Sequence, residues 1–388
     1  KSYRVSEVLF VIIIFSFKLD KFLSKFVPIY PVEPVKTIFL FSFNDVILNN
    51  NLYMIVLMKK NILLTGGAGY IGSWFVQNYS DKYSIYVVDS LFFGKNLNLE
   101  ENIKVINKDM RNISLDDLKN INYVIHMAEL SNDPLGEINK ELTQEINVSG
   151  TRNLIHLCQQ AKIEKFIYMS SCSVYGDSGN TYASEQTNTN PLTEYAKAKV
   201  LNENFLLDNE FKFEVKILRN ATAFGYSSNI RTDLVINDLT VNAIENNHIR
   251  VLSDGSPRRP FVHIGDISRF IDYVINNDKR KKLLVNIGTE RLNLTVKDVA
   301  KIVSQLTNVD DISFGKSDGD TRSYFVNFSK VSKLFPKFKF KYEVHDGVNE
   351  IIDNFESVIM NKTNSKRIKR INELIDSKKI NTKLFWTV

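Results

Sequence analysis

An α/β fold, with a doubly wound parallel sheet and a smaller C-terminal substrate-binding lobe, is what this chain predicts. Three observations carry the prediction. From Met58 onward, short apolar runs alternate with helical patterns, which implies a parallel sheet covered on both faces. The first run leads straight into a glycine turn, Gly66-Gly-Ala-Gly-Tyr-Ile-Gly72. Beyond Phe224 the regularity fades, with Pro257 and Pro260 among several short segments, as expected of a lobe that sends some segments back to the sheet.

The elements follow in order. Asn61–Thr65 reads as the first strand, and a helix runs from the glycine turn to about Ser80. Ile85–Asp89, Val105–Asn107 and Tyr123–His126 read as the second, third and fourth strands. Glu141–Ala161 reads as a helix, since Leu142, Ile146, Leu154, Leu157 and Ala161 fall near one face. Lys165–Ser170 is the fifth strand, Thr193–Asp208 a helix after a polar loop, and Val215–Arg219 the sixth strand. The expected organisation is a dinucleotide-binding domain over 58–223, a lobe mainly over 224–360 and a basic helical tail over 361–388.

Residues 1–57 read unlike the rest, being crowded with Phe, Ile, Asn and Lys without a clear period. Val8–Phe17 is a mainly apolar run of ten residues, too short to span a bilayer and stopped by Lys18. Met58, just before the first strand, is the expected natural start, with 1–57 as upstream sequence or a poorly ordered extension. A membrane-associating segment is the second reading.

The chain has 388 residues and a formal charge of +6. Residues 361–388 hold eight Lys/Arg against two acids, so the whole surplus sits in the tail and the body is near neutral. That distribution argues against a nucleic-acid-binding face. In the tail, Ile368, Ile371, Leu374 and Ile375 repeat at helical spacing, which predicts an amphipathic helix packed on the body with a solvated basic side. The two cysteines, Cys158 and Cys172, show no metal-ligand spacing and suit a reducing, cytoplasmic setting. Cys172 reads as a small buried filler rather than a nucleophile.

The glycine turn has the strand and helix context of a Rossmann-type dinucleotide site. Gly66 permits the tight turn, Gly69 the approach of a pyrophosphate to the backbone, and Gly72 close helix–strand packing. Asp89 ends the second strand, where a carboxylate binds ribose hydroxyls and repels a 2′-phosphate, favouring NAD over NADP. Asp109-Met110 follows the third strand and is expected to reach the adenine. Downstream, Tyr195 and Lys199 stand four apart on one helix face. An ammonium beside a phenol favours the phenolate, which makes the phenol a better proton carrier near neutral pH. Such a group beside a nicotinamide can pass a proton while a hydride moves.

Together these residues resemble the extended short-chain dehydrogenase/reductase family, and within it the NAD-dependent epimerases and dehydratases of nucleotide sugars, in the manner of UDP-glucose 4-epimerase. Thr65–Gly72 matches the family's turn, and His126-Met-Ala-Glu-Leu-Ser131 resembles its fourth-strand motif, with Glu129 where a small residue is usual. Asn147-Val-Ser-Gly150 resembles the helix motif whose asparagine supports the active site. Ser170-Ser-Cys-Ser-Val-Tyr-Gly176, Tyr195–Lys199 and Arg259–Asp266 match later motifs. The resemblance implies that Tyr195 is the general acid/base. Lys199 would bind the nicotinamide ribose and depress the phenol pKa, and Ser171 would hydrogen-bond the reacting sugar oxygen. It implies cofactor contacts from Gly66, Gly69, Tyr70, Ile71, Gly72, Asp89, Asp109, Met110, Ala128, Asn147 and Lys199. Substrate contacts are expected from Ser131, Ser173, Thr222, Arg231, Arg259 and Arg322, although each arginine reads equally well as a member of a structural pair. A homodimer is common in the family.

Relatives that eliminate water carry Asp-Glu directly after the hydroxyl residue of the serine motif, and decarboxylating relatives also use an acid there. Here those positions are Cys172 and Ser173, so both reactions are disfavoured. The expected function is epimerisation, at C4, through a 4-keto sugar. A nucleotide-sugar reductase or dehydrogenase uses the same residues and is the nearest alternative. A non-catalytic NAD-binding regulator is a further one, although such proteins commonly lose the tyrosine or lysine. Thr222 stands where typical 4-epimerases have asparagine, which leaves the sugar undetermined.

Overall fold

Short apolar strands build the main sheet; the central ones are almost wholly buried, as parallel strands covered on both faces require, and the edge strand Ile103–Asn107 is only partly covered. They are β1 (Asn61–Thr65), β2 (Ser84–Asp89), β3 (Ile103–Asn107), β4 (Tyr123–His126), β5 (Lys165–Ser171) and β6 (Glu214–Asn220). A seventh strand, Lys282–Ile287, comes back from the C-terminal half and pairs with β6. All pairings are parallel, and the order is β3-β2-β1-β4-β5-β6 with the returning strand at the far edge. The chain reverses direction across the sheet between β1 and β4, so a crevice opens there at the strands' carboxyl ends. The computed structural model describes residues 11–12, 55–56, 59–95, 97, 101–131, 139–177, 179, 181–316 and 323–387.

Helices cover both faces. On one, α1 (Tyr70–Tyr79) packs beside Ile264–Asn277, burying Phe75, Val76, Phe270 and Val274. On the other, α2 (Thr151–Ala161) and α3 (Glu194–Asp208) bury Leu154, Ile155, Cys158 and Leu206. The helix expected over Glu141–Ala161 exists but is not uniform. Lys140–Thr143 is α-helical, Gln144–Gly150 is wound as π-helix, and α2 completes it. The wider π turn leaves the Asn147 carbonyl to accept from the side chains of Thr151 (2.7 Å) and Asn202 (2.6 Å).

The lobe has its own core around Phe224, Leu239, Phe261, Val299 and Val344. It rests on a small sheet in which Thr222–Phe224 runs parallel to Arg258–His263, which pairs in turn with Asn293–Thr295. The Tyr70 hydroxyl joins lobe to sheet. It donates to the Gly225 carbonyl at 2.6 Å and accepts from Asn237 Nδ2 at 3.0 Å.

The tail forms α4 (Arg367–Asp376). Ile371 and Leu374 are buried in the same core as α2, and Ile368 and Ile375 pack against it. The basic side is not wholly solvated as expected. Arg367 is only 2% exposed, because the helix lies with its first turn against the crevice. The residues from 60 to 388 form one compact unit. Apart from a two-residue strand pair, Val11–Ile12 with Ile55–Val56, the segment 1–57 on which the extension was expected lies outside the described residues. Among the described residues no helix is long and apolar enough to cross a membrane.

Candidate active site

The crevice is a cavity of about 970 Å³, within the range of small-molecule sites. The β1–α1 turn forms one wall. Gly66 has φ +71°, and a Cβ there would stand 2.8 Å from the Ala128 nitrogen, so only glycine fits. Gly72 lets α1 lie on the turn, since its Cβ would meet Gly67 Cα at 2.6 Å. The α1 N-terminus has Gly69 as its cap and, among the described residues, no side-chain acceptor at its free N–H groups, which suits an anion. Asp89 Oδ1 accepts from Leu91 N (2.8 Å) and Oδ2 from Ala68 N (3.1 Å), which fixes the carboxylate at the end of β2. Burial pushes its pKa up, while those two backbone bonds and Arg367 oppose the shift.

The end of β5 and the start of α3 carry the serine, tyrosine and lysine singled out in the sequence. Thr193 caps α3 by accepting from Ala196 N at 3.2 Å, and the helix then brings Tyr195 and Lys199 to the cavity. Ser171 ends β5, accepts from Ser173 N at 3.1 Å and hydrogen-bonds the Tyr195 phenol. Among the described residues the Ser173 hydroxyl, buried in the cavity wall, has no partner, and a ligand can satisfy it.

Glu129 changes the electrostatics expected of this group. It is buried at the end of β4, with Oε2 2.6 Å from Lys199 Nζ and Oε1 accepting from Tyr168 Oη at 2.8 Å. Lys199 Nζ also donates to the Met169 carbonyl and lies 5.3 Å from the Tyr195 ring centroid. The ammonium is thus paired with a carboxylate. The Tyr195 pKa is raised well above that of a free phenol, not depressed. Burial is the main cause and Glu129 the second, opposed by Arg231 and the Ser171 hydrogen bond. The expectation that Lys199 depresses the phenol is corrected on this point: its charge reaches Tyr195 together with that of Glu129. Glu129 itself is pushed up by burial, with Lys199 and Tyr168 opposing. Behind it His126 bridges Thr65 Oγ1 (2.6 Å) and Thr151 Oγ1 (2.8 Å), and burial holds it neutral with its pKa pulled down to about 3.

Most of the residues singled out in the sequence meet in this one cavity. Gly66, Gly69, Tyr70, Ile71, Gly72, Asp89, Asp109, Met110 and Ala128 line it, as do Ser131, Ser171, Ser173, Tyr195, Lys199, Thr222, Arg231 and Arg259. Asn147 does not. It is wholly buried behind the wall, its Oδ1 accepting from Leu130 N (2.8 Å) and its Nδ2 donating to Leu130 O (3.3 Å). It braces the β4 end rather than touching a ligand. Arg322 lies outside the described residues, as do Ser317–Asp320. Arg231 forms a bidentate pair with Asp233 (2.9 and 3.1 Å), the structural reading left open for it. Asp109 is likewise gripped by Arg111 through Nε (2.9 Å) and Nη2 (2.7 Å).

Two features escaped the sequence reading. The Glu129–Lys199 pair joins β4 to α3, and no periodicity links residues so far apart. The tail closes one side of the cavity with α4, held by Arg370 Nε to Phe92 O (3.1 Å) and Trp386 Nε1 to Ser90 O (2.7 Å). Its aromatic and basic residues were visible, but their target was not. Cys158 and Cys172 are both free and buried, and burial drives the Cys172 thiol far up, so it is no nucleophile. Among the described residues no three His, Cys, Asp or Glu side chains gather as metal ligands.

The NAD dependent epimerase/dehydratase family model matches residues 62–288. A putative UDP-glucose 4-epimerase of Methanocaldococcus jannaschii is 26% identical over 75% of this chain and 97% of that protein. The mouse dTDP-D-glucose 4,6-dehydratase is 28% identical over 68% of this chain and 76% of its own length. MoeE5 in complex with UDP-glucuronic acid and NAD superposes with a TM-score of 0.67 at 26% identity, over 76% of this chain and 99% of that one. The glycine cradle, the α1 N-terminus capped only by Gly69 and the Asp89 carboxylate together fit a bound NAD.

Proposed function

Because the chain belongs to the NAD dependent epimerase/dehydratase family, we propose that it inverts C4 of a nucleotide sugar through a transient 4-keto sugar. NAD is its cofactor; when bound it supplies a hydride acceptor and a positive ring whose charge favours the phenolate. Tyr195, as the phenolate that the charge of a bound cofactor favours, would take the proton of the C4 hydroxyl while the C4 hydride leaves to NAD and the alcohol becomes a ketone, and would give the proton back when the hydride returns to the other face. Ser171 accepts from Ser173 N and hydrogen-bonds the Tyr195 phenol, so its hydroxyl proton would turn to the sugar oxygen when a substrate is bound and steady the charge that develops there. Lys199, held by Glu129 and the Met169 carbonyl, has a fixed position from which it can meet the nicotinamide ribose. Arg259, with its guanidinium over the Tyr324 ring, is a candidate for the sugar's diphosphate.

The observation that carries C4 inversion over elimination is the pair after Ser171. Cys172 is sealed in the core and Ser173 offers only a hydroxyl, so neither can act as the acid or base that removes water. One feature favours elimination as a second reading: Glu129 is a carboxyl in the cavity wall with a raised pKa. Its two oxygens are engaged by Lys199 and Tyr168, which ranks this reading below the first. The free buried thiols accord with a cytosolic setting.

Incubation with NAD and a panel of UDP-, GDP-, CDP- and dTDP-sugars tests the proposal by mass spectrometry and proton NMR. An epimer has unchanged mass and altered ring couplings. Loss of the mass of water would establish elimination instead, and a change by two hydrogens a dehydrogenase or reductase.

A further inference from the structure

Packing of Ile371 and Leu374 into the core turns Arg367, the first residue of α4, into the cavity wall. Its guanidinium donates to Asn364 O at 3.1 Å and Asn229 O at 3.3 Å, and covers the Phe93 ring at 4.0 Å. These use two of its five N–H groups, both on neutral carbonyls. Among the described residues no carboxylate pairs with it; Asp89 and Asp233 act on it only through space, and Arg231 opposes them. A buried guanidinium stays charged, and such a cation is costly until an anion completes it.

The neighbours of Arg367 indicate which anion. Asn229, whose carbonyl it holds, donates through Nδ2 to the Ala68 carbonyl inside the glycine turn. Arg367 therefore stands one residue away from the backbone whose free N–H groups suit a pyrophosphate. Asp89, on the same side, is fixed by backbone bonds and disfavours a 2′-phosphate. Around it the tail is tied to the loop after β2 by Arg370 to Phe92 O and Trp386 to Ser90 O, and to the turn after β3 by Arg111 to Lys383 O.

We propose that Arg367 binds the pyrophosphate of NAD, so that the C-terminal segment is a strap that completes the cofactor site and slows cofactor release. An enzyme that returns a hydride to the sugar it came from needs its cofactor retained between the two transfers. The binding itself is independent of which reaction follows.

Calorimetric titration of the full chain with NAD, ADP-ribose and adenosine separates charge from packing, and needs no turnover. A failure here is therefore distinguishable from a failure of the C4 reading. Arg367→Gln should weaken NAD and ADP-ribose by about 10- to 100-fold, the scale of one charge-assisted hydrogen bond, and leave adenosine unchanged. Unaltered NAD affinity in the folded variant, or an equal loss for adenosine, would overturn the assignment. Should that variant not fold, hydrogen exchange on the native chain gives the answer. Amides of Arg367–Asp376 should slow with ADP-ribose and not with adenosine; equal slowing with both, or none with either, would overturn it.

Discussion

At Tyr195 two opposite charges compete. A lone ammonium on the next helical turn would pull the phenol toward phenolate. Here the ammonium is paired at 2.6 Å with Glu129, and a tight ion pair projects a much weaker field than a lone charge. Burial then dominates, and the resting phenol is protonated. Among the described residues the charged groups facing Tyr195 are Lys199 on its own helix, Glu129 just after β4 and Arg231 from the lobe. The sign of a change at Glu129 follows. Removing its negative charge lowers the phenol pKa, so the limb of the pH–rate profile governed by Tyr195 should move to lower pH in Glu129→Gln. Tyr195→Phe serves as the control, with turnover down by about a hundredfold or more. A limb that stays in place in Glu129→Gln would remove Glu129 from the account of the phenol. The sequence showed Glu129 as a departure from the family pattern. It did not show the partner, because pairing across β4 and α3 is set by the sheet and not by spacing along the chain.

Among the elements, the glycine turn was the most legible, because each glycine answers a local need. Gly66 adopts positive φ against the Ala128 backbone, and Gly72 has no space for a side chain. Gly72→Ala should destabilise the protein by about 1–3 kcal/mol through overpacking, read as a lower urea midpoint. An unchanged midpoint would mean that the turn yields more easily than its 2.6 Å approach implies. Strands were legible as apolar runs, with ends displaced by a residue or two; β3 begins at Ile103, where Ile103 itself is buried. The π stretch at Gln144–Gly150 was not legible, since Leu142, Ile146 and Leu154 fit an ordinary helical face. There the Asn147 carbonyl and amide are engaged by Thr151 on the next turn and by Asn202 and Leu130, which the fold brings in from distant parts of the chain. The tail shows the same limit. Periodicity found the apolar edge of α4 but could not tell that Arg367 sits at its seam, because that depends on which way the helix lies on the body.

At the scale of the whole molecule, strand order opens the crevice between β1 and β4, and the lobe closes over it through Tyr70, Gly225 and Asn237. The sheet contributes the cradle and the Ser171–Tyr195–Lys199 group, the lobe contributes Thr222, Arg231 and Arg259, and α4 contributes a third side. Such an enclosure suits a reaction in which a ketone stays bound, turns, and is reduced on its opposite face. The sequence could assign residues to the cradle and the reactive group because their motifs are local. It could not name the sugar, since the lobe's residues come together only through folding. One measurement decides between transfer within this enclosure and the alternatives: incubation of the accepted nucleotide sugar, carrying deuterium at C4, with the enzyme and unlabelled NAD, followed by NMR of the product. The account predicts an inverted sugar that keeps its deuterium at C4. Deuterium lost from C4, or moved to C6 with loss of water, would contradict it.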